Sequence, residues 1–160
     1  MSLTSPSTAE TLLIFVDAAR NALDGLLQLL LQEQELLTHN KIDFLAELSS
    51  RKQLAAVAAE QAGAQLRQQF NQAGMPEDAD VAQWLTDQAP AALEAWQDLR
   101  EIARKAELYN RNNGLLIDTR RQLLDQFISQ LASSRGDALS YSPRGQLNSG
   151  SGGRLSRDKV

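Results

Sequence analysis

Between Ala92 and Leu131 one series of residues recurs at steps of four and three without a break: Ala92, Trp96, Leu99, Ala103, Ala106, Asn110, Asn113, Ile117, Arg120, Leu124, Phe127 and Leu131. That period lines one side of an α-helix and has no use in a strand. A flanking line at Ile102, Tyr109, Leu116 and Leu123 repeats every seven residues and widens the stripe. The pattern predicts one helix over about residues 88–132, which at 1.5 Å per residue spans roughly 67 Å. A stripe of this length cannot be buried by its own helix. It needs companions.

The sequence supplies them. Ser7-Thr8-Ala9-Glu10 has the capping-box form, in which Ser7 and Glu10 satisfy each other's free amides at a helix start. Leu12, Val16, Ala19, Leu23, Leu26, Leu30 and Leu37 then form a heptad-like seam, interrupted by Glu33, over a helix of about residues 8–38. His39-Asn40 is a break, and Asp43 is placed to cap a second helix of about residues 44–73. Phe44, Leu48, Ala55, Ala59, Ala62, Leu66, Phe70 and Ala73 share a face of that helix. Gly74 followed by Met75-Pro76 stops it. Asp80 is placed to cap a short helix of about residues 80–87, and Pro90 suits the first turn of the long one. Trp84 and Trp96 are expected as core anchors between those two. The fold class is all-α, an antiparallel helical bundle over residues 1–133.

By the same rise the first helix spans only about 46 Å. The long helix must therefore bend near Gly114 or carry one end of its apolar stripe past the others. Leu123, Leu124, Phe127, Ile128 and Leu131 crowd that far end and cover nearly every side of the turn. Either the bundle or an oligomer covers them, or they form an exposed patch that binds a partner. Asn110 and Asn113, at core-type positions, admit two readings: register control within the bundle, or contact with a partner. Arg120 is expected to snorkel at the rim.

Residues 134–160 are a basic Ser/Gly-rich tail, expected to be flexible because such a composition buries too little apolar area to offset its ordering entropy. The charge is uneven, net −7 over residues 1–133 and net +3 over the tail. An acidic body disfavours nucleic acid as the main partner. No leader or membrane span is legible, since Asp17, Arg20 and Asp24 interrupt the first apolar stretch. The expected location is cytoplasmic.

Catalytic chemistry finds little to work with. There is no cysteine and one histidine, His39, at a helix end. A di-metal bundle site needs two Glu-x-x-His pairs, and a serine nucleophile needs a histidine base. No Gly-rich phosphate loop joins a strand to a helix. Carboxylate pairs such as Glu33/Glu35 and Asp78/Asp80 are expected on the solvated face and at caps. The chain is not expected to be an enzyme, and no metal or cofactor is implied.

The segment Asn110-Arg111-Asn112-Asn113-Gly114-Leu115-Leu116-Ile117, followed by Arg120/Arg121 and a leucine-rich end, resembles the FlgN family of flagellar type III export chaperones. The tail piece Tyr141-Ser142-Pro143-Arg144-Gly145-Gln146 is similar to that family's short element after the helix. The resemblance implies a cytoplasmic chaperone that covers the aggregation-prone helical ends of flagellar hook-associated proteins, prevents premature assembly and delivers them to the export apparatus. It implies a partner surface at Asn110, Asn113, Gly114, Leu116, Leu123, Phe127, Ile128 and Leu131, with Tyr141, Gly145 and Leu147 as tail candidates. The competing reading is a structural coiled-coil subunit that self-associates, as a homodimer for instance, through the same stripe and carries no cargo.

Overall fold

A computed structural model describes residues 7–135, 139–141 and 147–149 of the chain. Helix α1 spans Thr8–Thr38, α2 Leu45–Gln72, α3 Val81–Gln88 and α4 Leu93–Arg135, with 3-10 turns at Ile42–Phe44 and Pro90–Ala92. The chain divides at Gly114 into two compact units, Met1–Gly114 and Leu115–Val160. The helix α4 is hydrogen-bonded through that glycine without a break.

The first unit is an all-α bundle. The capping box forms as expected, Glu10 N donating to Ser7 Oγ at 3.2 Å and Ser7 N to Glu10 Oε2 at 2.7 Å. The α1 end comes where Asn40 takes a left-handed φ of 57°, and α2 ends at Gly74 with φ 82°. Asp80 accepts from Gln83 N at 3.0 Å and so caps α3. Helices α1 and α2 run antiparallel, because Lys52 meets Glu33 while Leu66 and Phe70 pack with Leu12 and Val16. Helices α1 and α4 run parallel: Arg20 faces Asp98, and Asn113 reaches Leu30.

Two clusters make the core. The larger joins Leu12, Val16 and Ala19 of α1 to Leu66 and Phe70 of α2, Leu85 of α3, and Ala89, Ala92, Ala95 and Leu99. Phe70 sits between the two tryptophans, edge-on to Trp84 at 6.0 Å and to Trp96 at 5.8 Å. The anchor the indoles share is thus a ring of α2. The smaller cluster is Leu27, Leu30 and Ala106, with Ile102 and Tyr109 partly buried against it.

Several expectations are corrected. Asp43 caps nothing: it lies inside the 3-10 turn, and α2 has Phe44 as its N-cap, without a side-chain bond. Phe44, expected on the buried face, is exposed because that turn precedes the helix. The long helix does not begin at residue 88. Ala89, restricted by the proline after it, is non-helical (φ −150°, ψ 64°), and α4 starts only at Leu93. Its end lies at Arg135 rather than 132. Glu33, expected in solvent, is buried.

In the second unit, β1 (Leu139–Tyr141) pairs antiparallel with β2 (Leu147–Ser149), Tyr141 opposite Leu147. Two short stretches of the tail thus pair through their backbones. Each strand opens on a leucine followed by a polar residue, Leu139-Ser140-Tyr141 and Leu147-Asn148-Ser149, too short a pattern to register against the Ser/Gly background.

Candidate partner-binding surface

At the end of the first unit three helices share one polar network. Asn113 Nδ2 donates to the Leu30 carbonyl and to Glu33 Oε2, both at 2.9 Å, and Lys52 Nζ donates to Glu33 Oε1 at 2.7 Å. Asn113 is 1% exposed and Glu33 5%. A buried carboxylate is tolerable only when hydrogen-bonded and paired, and here both conditions hold. Of the two readings of Asn113 the geometry realises the internal one, and as a partner contact this residue is corrected: its Nδ2 donates only within the chain, and its Oδ1 is buried with no hydrogen-bond partner among the described residues. Glu33 and Lys52 were missed by sequence reasoning. The signal was Glu33 standing in an otherwise apolar seam, which is where a buried charge with a dedicated partner would sit.

Asn110, three residues earlier, is exposed. It borders an open groove of about 480 Å³ floored by Leu23, Leu26 and Leu30 of α1, with Ala56 of α2 on one side and Ala103 and Ala106 of α4 on the other. Small residues on both walls leave the space that larger side chains would fill.

The second unit reverses the pattern. The line Ile102, Tyr109, Leu116, Leu123 is half-buried in its first two members and exposed in its last two. Leu123, Leu124 and Phe127 are 60%, 58% and 58% exposed, values that core side chains never show. Leu115, Leu116, Ile117 and Leu131 are exposed as well, and Ile128 is half-buried. Among described side chains from 115 to 133, none is buried. Gly114 carries no close neighbour and lies within helix, so it serves neither a turn nor a close approach. Within this unit helical spacing places Leu116, Leu123, Phe127 and Leu131 along one face, while Tyr141 and Leu147 face each other across the ladder. Gly145 lies outside the described residues.

Such a face can do one kind of chemistry. Contiguous apolar side chains on a helix offer anchors at i, i+4 and i+7 spacing to another amphipathic segment. No helix among the described residues is long and apolar enough to cross a membrane.

The model of one protein family, described as FlgN protein, matches residues 1–149. No curated protein and no solved structure matches the chain. A match over nearly the full length, on a bundle of long packed helices, establishes that this chain belongs to the FlgN family of flagellar export chaperones.

Proposed function

We propose that the exposed stripe of α4 from Leu116 to Ile128 holds a helical terminal segment of a flagellar hook-associated protein in the cytoplasm. Holding it keeps the segment from assembling early and presents it to the export apparatus. The observation that supports this is the exposure of Leu123, Leu124 and Phe127 together, on a stretch of α4 in which no described side chain from 115 to 133 is buried. Covering roughly 400 Å² of apolar surface is worth on the order of 10 kcal/mol before ordering costs. Those costs are large for a segment that folds on binding, which suits a carrier that must let go. Holding needs no catalytic group and no cofactor. Tyr141 and Leu147, paired in the strand ladder, are proposed as secondary contacts.

The test is complex formation with isolated hook-associated proteins, followed by gel filtration with light scattering. The full chain should form a defined complex, and Leu123→Asp with Phe127→Asp should abolish it while helicity and melting stay close to wild type. A chain that is a stable oligomer by itself at micromolar concentration, and that captures none of these proteins, would establish the self-associating reading instead.

A further inference from the structure

Arg120 stands in the middle of the exposed apolar series. On a helix the surface neighbours of a residue lie three and four positions away. For Arg120 all four are large and apolar: Leu116, Ile117, Leu123 and Leu124. Three other cations of α4 are provided for at that spacing, Arg104 and Lys105 by Glu101 and Arg111 by Glu107. Arg120 has no acid in reach on its own helix surface. Its Nη1 is shut off from water and has no hydrogen-bond partner among the described residues. The side chain as a whole is half-buried among those leucines, so its charge is partly desolvated and has no counter-ion among the described residues.

We propose that Arg120 receives a carboxylate from the docked segment, so that the stripe selects an amphipathic helix carrying Glu or Asp within its apolar face. The inference rests on the stripe being the partner surface, and it adds the chemistry by which one helix is chosen over another. A guanidinium presents its N–H donors in a planar fork that matches a carboxylate, and the flanking leucines exclude water from the pair once the segment is seated. A glutamine at the matching position fills the same space without the charge. A lysine there places two cations against each other in a desolvated contact, which discriminates against the wrong helix.

The experiment uses the full chain and synthetic amphipathic helical peptides of about three heptads with a leucine seam. They are identical but for Glu, Gln or Lys at the central seam position, and are titrated by fluorescence anisotropy. The Glu peptide should bind roughly tenfold or more tighter than the Gln peptide, and the Lys peptide should be weakest. Arg120→Gln should erase the Glu preference, and Arg120→Glu should transfer it to the Lys peptide, with circular dichroism showing helicity retained in both. Equal binding of the three peptides, or a Glu preference that survives Arg120→Gln, overturns the role of Arg120; if Phe127→Asp still abolishes binding, the stripe stands without it. Binding of no peptide, or binding that Phe127→Asp leaves intact, removes the stripe as the partner surface and the proposal with it.

Discussion

Asn113 occupies a position where a leucine would pack without desolvating any polar group, and it is retained there by two hydrogen bonds to α1 and by the Glu33–Lys52 pair behind them. Networks of this kind are costly when broken in part and close to neutral when removed whole. Asn113→Ala leaves Glu33 short of a donor and opens a cavity, and is expected to destabilise by about 2–4 kcal/mol in urea unfolding. Replacing all three members by apolar residues of similar size (Asn113→Leu, Glu33→Leu and Lys52→Met) should recover most of that loss. If the triple variant is instead the least stable of the set, the network adds net stability rather than uniqueness. The sequence exposed the two polar seam positions, Glu33 and Asn113, but not their pairing, because they are 80 residues apart.

At the scale of the element, local rules account for most of what is seen. Helix α1 has the predicted ends because its cap, its seam and its left-handed exit at Asn40 are all written in neighbouring residues. The start of α4 was misplaced for an equally local reason: the residue before Pro90 is barred from helix, so the chain inserts a 3-10 turn first. Two glycines show how the same residue acts with opposite sign. Gly74 at φ 82° is in a region that L side chains rarely adopt, so Gly74→Ala should lower stability by about 1 kcal/mol. Gly114 is helical with open space around its absent Cβ, and Gly114→Ala should raise stability by about 0.5–1 kcal/mol. Thermal melts of the two single variants check both signs, and a destabilising Gly114→Ala would mean that the unit boundary depends on a flexible residue.

Over the whole molecule, burial separates residues that the sequence presents as equivalent. Leu30 and Leu123 both belong to seven-residue apolar repeats, yet Leu30 is 1% exposed and Leu123 60%. Leu30→Ala should cost about 3–5 kcal/mol through lost transfer energy and a cavity, while Leu123→Ala should fall within about 0.5 kcal/mol of wild type. Denaturant midpoints of the two variants measure the contrast directly, and comparable losses would mean that Leu123 is packed in solution. On the proposed reading the same contrast leaves the stripe open to selection for binding, because a residue that contributes little to stability can be chosen for what it contacts.

What the sequence determined by itself was the set of helices, the caps at Ser7, Gly74 and Asp80 and the existence of one stripe from Ala92 to Leu131, since each depends on residues within a turn or two of one another. The resemblance to the family was legible for the same reason, since Asn110 to Ile117 are consecutive residues of one helix. Which part of that stripe is core and which part is surface was decided only by the tertiary structure. Burial depends on what the rest of the chain brings alongside, and up to Asn113 α1 meets α4 with leucines and a buried glutamate, whereas the described side chains from Leu115 onward are left unburied.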